Sequence, residues 1–230
     1  MEIARRHPTA FAATVDPAHC RDYRPAWYHY LLGDDLKRVA LTAAGIPCEN
    51  PIDRLIVVMP PRHGKTETVT VRFPVWAMSE FGLDIMALTY GASLAVEFGT
   101  KGRNVVESPM YQKLYPHRLK YGSSAKTDWR LDNYARYTSI SLKGSVTGKG
   151  APLLILDDLY KNSEQADSAV YREWVKDQYS AVAYTRLEPP GCIVACMTHW
   201  HNDDWIGWQL REFEDEGWVI RHLCALQEAA

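Results

Sequence analysis

The sequence contains no apolar run near the ~18 residues that would cross a membrane as a helix. It has no excess of either charge: 26 lysines and arginines face 28 aspartates and glutamates, for a formal net charge of -2. Bulk charge therefore announces no polyanionic partner, and any contact with nucleic acid has to be argued from a local cluster. Cysteine is scarce, odd in number and scattered, at positions 20, 48, 192, 196 and 224. That spacing contains neither a disulfide framework nor paired CxxC knuckles for zinc, and a reduced, cytosolic compartment is expected. Internal repeats and low-complexity linkers are also missing. The opening Met1 to Arg6 carries two arginines with no apolar stretch behind them, so no signal peptide is expected.

What remains is a chain of 230 residues with 47% hydrophobic side chains, enough for one large domain or two small ones. Folding at this length buries roughly 70% of the unfolded surface, so the core needs no covalent staples. Ala26 to Gly45 repeats apolar residues near a helical period, through Trp27, Leu31, Leu32, Leu36, Val39 and Ala40. Leu55 to Met59 is a short continuous apolar run closed by Pro60-Pro61, the pattern of a strand buried on both faces. Further strands are expected at Asp84–Tyr90, Tyr137–Leu142, Leu153–Leu156, Ile193–Thr198 and Trp218–Leu223. Helices are expected between them at Thr66–Met78, Leu94–Glu107 and Ala169–Ala183, while Lys113 to Asn133 has no clear period. This alternation predicts a layered α/β fold, with ligands at the carboxyl ends of its strands.

Directly after the first of these strands the chain reads Met59-Pro60-Pro61-Arg62-His63-Gly64-Lys65-Thr66. Gly64-Lys65-Thr66 matches the GK[ST] end of a phosphate-binding loop. Gly64 lets the backbone approach phosphate, Lys65 supplies a point charge, and the Thr66 hydroxyl can hold Mg²⁺. The following helix offers its unpaired amides to an anion. Met59 stands where the motif's first glycine would be, and Pro60 and Pro61 have no amide hydrogen, so the cradle runs from Arg62 to Thr66. A chance GKT in a surface turn is the plainer explanation of so short a string; its position between a buried strand and a helix favours nucleotide binding.

Leu153-Leu154-Ile155-Leu156-Asp157-Asp158 supplies the second element, an aliphatic strand ending in paired carboxylates. Such a strand is expected to carry Asp157 to the same sheet edge as the loop, where it can hold Mg²⁺, with Asp158 as the base that activates water. Glu164 is a rival for that base. The Lys65 ammonium and both carboxylates must therefore converge on one magnesium–triphosphate.

Taken together, Pro60 to Glu67, Gly148-Lys149-Gly150-Ala151 leading into Asp157-Asp158, Thr185-Arg186-Leu187, and Thr198 to Asp204 resemble the large terminase subunit of tailed bacteriophages, from about Tyr23 to Trp208. The resemblance implies a P-loop ATPase fold of the ASCE (additional-strand) type, with a mostly parallel central sheet flanked by helices. It implies a DNA-packaging motor that hydrolyses ATP with Mg²⁺ to drive double-stranded viral DNA into a procapsid. The implied partners are that DNA, the portal protein, the small terminase subunit and further copies of the chain in a homo-oligomeric ring, a pentamer. The implied setting is the host cytoplasm, transiently docked at the portal. Residues 1–230 are expected to form one ATPase domain. Within it, 1–50 would be an N-terminal helical segment on the adenine side and 51–225 the P-loop core. The family's nuclease domain is not expected in this chain.

Carried onto these positions, the resemblance has Arg62 to Glu67 (Arg62, His63, Gly64, Lys65, Thr66, Glu67) around the phosphates. Arg62 would sense the γ-phosphate, Thr66 and Asp157 hold the metal, Asp158 acts as base, and Thr198 couples hydrolysis to movement. Asp158 replaces the commoner glutamate. Lys149 stands where related chains place a trans-acting arginine finger, with Arg136 and Arg130 as alternatives. The family's adenine-side region corresponds to Tyr23 to Trp27, so Tyr23 or Trp27 would stack on the base; alternatively Trp27 packs its helix on the sheet. Lys113, His117, Arg118, Lys120, Lys126 and Arg130 form a locally basic stretch that is either a DNA-facing loop or a solvated one. His199, His201, Asp203 and Asp204 are expected to form a capped turn rather than a metal site. A helicase-like translocase and a non-hydrolysing nucleotide-binding scaffold are the competing functions.

Overall fold

An aliphatic strand such as Leu55 to Val58 is stable only where both of its faces are covered. The computed structural model describes residues 1–15, 25–123, 125–144 and 148–223. Strands β1 (Arg54–Val58), β2 (Ile85–Thr89), β3 (Asp128–Arg130), β4 (Arg136–Ser141), β5 (Ala151–Asp157), β6 (Leu187–Met197) and β7 (Val219–His222) form one sheet in the order β3-β4-β2-β5-β6-β1-β7. Of the pairings between these described strands, only β3–β4 is antiparallel. β6 lies between β1 and β5 and is the additional strand expected of the ASCE architecture.

The helices are α1 (Glu2–Arg6), α2 (Pro8–Val15), α3 (Trp27–Ala43), α4 (Phe73–Phe81), α5 (Ala92–Glu107), α6 (Pro109–Leu114), α7 (Ser163–Asp167), α8 (Ala169–Gln178) and α9 (Trp205–Glu212). Side chains along the central strands alternate between two buried cores. Leu55 and Val57 of β1, Leu153 and Ile155 of β5, and Val194 and Cys196 of β6 join one core with Phe11, Leu32, Leu36, Phe73 and Trp76. Ile56, Leu154, Leu156, Ile193 and Ala195 join the other with Val175, Tyr179, Trp205 and Ile206. Helices thus cover the sheet on both faces, as the continuous apolar runs require.

Six strands fall where the sequence pattern puts them, although β6 begins at Leu187 rather than Ile193. β3 lies inside the aperiodic stretch and, at three residues, has no run long enough to announce itself. The helix expected over Thr66–Met78 opens as a π-helical segment, Glu67–Arg72, before α4. Thr68, Val69, Thr70 and Val71 are consecutive β-branched residues, which crowd an ordinary α-turn. The helix expected over Ala169–Ala183 likewise passes into a π-helical segment, at Tyr179–Ala183.

α3 is tied to the sheet edge by a charge as well as by its apolar stripe. Asp35 is fully buried and accepts from both Arg38, one turn on, and Arg221 of β7. Near the other edge of the sheet, α5 packs closely on the segment leading into β3. A Cβ added at Gly99 would lie 1.9 Å from the Lys126 carbonyl oxygen. Gly99→Ala is expected to destabilise the fold by about 1–3 kcal/mol, because backbone has to move to admit the methyl group. Urea unfolding should show this as a lower midpoint with an unchanged slope.

Candidate active site

The loop after β1 departs sharply from extended backbone. Arg62 has φ 65° and Gly64 φ 77°, so the chain curls twice in the left-handed region before the helix begins. For Gly64 that conformation costs little; for Arg62 it is a strained backbone, of the kind that persists where surrounding structure enforces it. The Thr68 amide donates to the Gly64 carbonyl at 2.9 Å, closing the first turn after the loop. His29 reaches the loop from α3: its Nε2 lies 3.1 Å from the His63 carbonyl oxygen, while its Nδ1 lies 3.0 Å from the Ala26 amide nitrogen. Burial pulls the His29 imidazole below its ordinary pKa.

Parallel pairing brings the ends of β1, β5 and β6 to one edge, and with them Lys65, Asp157, Asp158 and Thr198. Lys65 Nζ donates to Asp158 Oδ1 at 3.0 Å and to Thr198 Oγ1 at 2.8 Å. Asp157 is fully buried; Thr66 Oγ1 donates to its Oδ1 at 3.3 Å and Thr70 Oγ1 to its Oδ2 at 2.5 Å. Burial, followed by the neighbouring Asp158 charge, pushes the Asp157 carboxyl well above the usual carboxylate range, against the pull of Thr70, Lys65 and Thr66. Thr66 and Asp157 together present hard oxygen donors side by side, a donor set that fits Mg²⁺. Asp158 has φ 43°, another strained non-glycine residue, held from both sides. Its amide donates to Cys196 of β6 at 3.2 Å, and its carbonyl accepts from the Tyr90 amide, just past β2, at 3.1 Å.

Two of these contacts lie outside the sequence reading. Thr70 follows Thr66 by four residues, the spacing that puts two side chains on one helical face, so its signal was present. His29 is the third residue of α3, the position that reaches back to an N-cap amide, and Ala26 at the cap has no side-chain acceptor of its own.

The other expected residues are distributed as follows. Glu67 commits its carboxylate to Lys101 and Arg72, each at 2.6 Å, and these cations hold it below its ordinary pKa despite burial. Trp27 is 65% exposed, which rules out the alternative in which it packs α3 on the sheet. Tyr23 lies outside the described residues. Glu164 is exposed in the first turn of α7. Asp204 caps α9 through the Ile206 and Gly207 amides and also accepts from the Trp200 and His201 amides, so the histidine–aspartate cluster is a capped turn as expected.

Arg130, Arg136 and Lys149 gather at the amino ends of the parallel strands, whereas Lys65 and the acid pair are at the carboxyl ends. Arg136 makes a two-pronged contact with Asp128, at 2.7 and 2.6 Å, and Lys149 reaches the same carboxylate at 2.7 Å. Arg130 has no ion pair among the described residues; it lines a cavity of about 350 Å³ with Lys120, Ser123 and Arg136.

These elements define an α/β P-loop fold of the additional-strand type, flanked by helices on both faces. The chain shares that fold with the large terminase of bacteriophage HK97, at a TM-score of 0.55 and 16% identity over 90% of this chain. It covers 41% of the HK97 protein, well under half of that length. Looser likenesses, at TM-scores below 0.5, are to the large terminase of a thermophilic bacteriophage in complex with ATP-γ-S and to the N-terminal domain of the bacteriophage phi29 DNA packaging ATPase. The first has a TM-score of 0.41 and 16% identity over 83% of this chain and 43% of the other. The second has a TM-score of 0.44 and 12% identity over 77% and 93%. No protein-family model matches the chain, and no curated protein matches it. The likeness to large terminases read from the motifs therefore holds at the level of fold. Among the described residues, no helix is long and apolar enough to cross a membrane.

The Asp128 cluster has a consequence for stability. The Arg136 hydrogen bonds, helped by Lys149, hold the Asp128 carboxyl down to about 2. A depressed folded-state pKa stabilises above the unfolded value of about 3.9, and that stabilisation is lost as pH falls through the folded value. Asp128→Asn is expected to lower Tm by about 2–4 °C at pH 7. Thermal melts should show the gap to wild type closing as pH falls from about 4 toward 2.

Proposed function

We propose that this chain is the ATP-hydrolysing motor domain of a phage large terminase subunit, driving double-stranded viral DNA into a procapsid. The observation that carries this reading is the shared Lys65 ammonium, bonded to Asp158 and Thr198 beside a Thr66–Asp157 pair. ATP binding draws Lys65 from Asp158 to the β- and γ-phosphate oxygens, and the loop amides from Arg62 to Thr66 take up the remaining phosphate charge. Asp158, released from Lys65, accepts the proton of a water that attacks the γ-phosphorus in line while ADP leaves. Thr198 loses its Lys65 partner in the same step, which gives the strand end after β6 two states that report the nucleotide. Thr66 and Asp157 would hold Mg²⁺, which when bound neutralises charge developing on the phosphate oxygens.

In this reading residues 1–50 form the adenine side, with either Tyr23 or Trp27, the latter exposed, stacking on the base, and residues 51–225 form the core. The motor works as a homo-oligomeric ring with portal protein and small subunit, in the host cytoplasm at the procapsid portal. Arg130, Arg136 or Lys149 then serves the neighbouring subunit's nucleotide, because all three lie at the pole of the sheet opposite their own phosphate loop. Arg130 is the most readily available, since Asp128 holds the other two.

Steady-state hydrolysis of ATP tests the central claim. Asp158→Asn is expected to lower kcat by about 10²–10⁴-fold with nucleotide still bound. Lys65→Ala is expected to lose both binding and turnover. Wild-type protein that binds ATP without hydrolysing it, even with DNA and portal present, would point instead to a nucleotide-binding scaffold. Turnover by isolated subunits should be slow, since a trans-acting finger is worth about 10³–10⁵ in rate. Mixing Arg130→Ala subunits with Lys65→Ala subunits should restore turnover above either alone; no rescue with Arg130, Arg136 or Lys149 variants would remove the finger assignment.

A further inference from the structure

We propose that His29 is a positioning residue for the phosphate loop, fixing the His63–Gly64 peptide so that the Gly64 amide is presented to phosphate. The inference rests on the nucleotide-binding reading for its purpose, but not for its geometry. An amide can only donate and a carbonyl oxygen only accept, so the two contacts of His29 determine its protonation state. Nδ1 accepts from the Ala26 amide at 3.0 Å and must be bare; Nε2 faces the His63 carbonyl oxygen at 3.1 Å and must carry the hydrogen. The ring is therefore neutral, in a single tautomer, with both nitrogens occupied.

The peptide plane transmits this choice. In a trans peptide the carbonyl and the next amide point in opposite directions, so anchoring the His63 oxygen on His29 turns the Gly64 N–H away from α3. Glycine is required for this arrangement. Gly64 has φ 77°, and a Cβ there would lie 3.1 Å from His29 Nε2, so the imidazole seats against the bare backbone. His29 is itself only 5% exposed, and its helix is anchored to β7 by the ion pair between buried Asp35 and Arg221. The loop with two left-handed residues is thus braced from a helix that is itself pinned to β7. Pro60 and Pro61 provide no amides at the loop's start, which leaves the orientation of the next peptides to outside contacts such as this one.

Two substitutions separate the halves of the imidazole. His29→Asn keeps an acceptor near Nδ1 but falls short of His63; His29→Gln extends a donor to the Nε2 position but gives up the Ala26 contact. In nucleotide-free protein, amide hydrogen exchange at residues 62–66 is expected to rise about tenfold in His29→Asn and to stay within about twofold in His29→Gln. Exchange at the start of α3 should show the reverse. Affinity for ADP should fall about five- to tenfold in His29→Asn, the effect of one hydrogen bond, and change less than about twofold in His29→Gln. Loop exchange that is equal in the two variants, or unchanged in His29→Asn, would overturn the proposal. In the wild-type protein, ¹⁵N NMR should report the Nε2–H tautomer of His29; the Nδ1–H tautomer or an imidazolium would also overturn it, whether or not the variants fold. Failure of wild-type protein to bind any nucleotide would count against the functional reading, while the exchange pattern still decides the role of His29.

Discussion

A buried carboxylate without partners is among the most expensive groups a protein can contain, and Asp157 is fully buried at the end of β5 with Asp158 beside it. The arrangement around that pair follows from supplying it with donors. Thr66 and Thr70 occupy its oxygens from the helix that follows the phosphate loop, and Lys65 compensates the second acid. All three donors come from one short segment, so the register between β1, β6 and β5 has to be held closely. Inserting β6 between the loop strand and the acid strand brings Thr198 into reach of the same ammonium. One cation thereby joins the ends of three strands, and any ligand that competes for it must release Asp158 and Thr198 together.

The rest of the molecule stiffens this edge. Asp158 is held between the Cys196 carbonyl and the Tyr90 amide, which keeps its unusual φ in place. On the other side, α3 fastens to β7 through Asp35 and to the loop through His29. Strain at Asp158 thus sits where neighbouring elements enforce it, and strain at Arg62 precedes the His63 carbonyl that His29 holds, a common circumstance of strained backbone at sites that bind or react.

Much of this was legible in the sequence, because the signals were local. Leu55 to Val58 and Leu153 to Leu156 are continuous apolar runs with sharp ends, and their two-sided burial follows from composition alone. Gly64-Lys65-Thr66 and Asp157-Asp158 mark the strand ends that the parallel sheet then brings together. What was not legible depended on partners distant in sequence or on short elements. β3 has three residues and exists by pairing with β4. Asp128 draws in Arg136 and Lys149, so two of the three residues that the sequence offers as trans-acting fingers are already engaged. His29 reads as one polar residue in an amphipathic helix until the fold brings His63 to it, 34 positions away.

On the proposed reading, in which a neighbour's cation completes the pocket, the separation of the two charged clusters also limits how copies of this chain can associate. The loop and acids occupy one pole of the sheet, and the Arg130–Arg136–Lys149 group occupies the other. Completion of one molecule's pocket by its neighbour therefore has to join unlike surfaces. A twofold axis can do so only by laying two copies side by side and antiparallel, with both pairs of poles in a single isologous contact, and such an assembly stops at two. A head-to-tail contact uses one pole of each molecule and leaves the other open to the next copy. It then either closes on itself or continues as a helical filament, and the rotation between successive copies decides which.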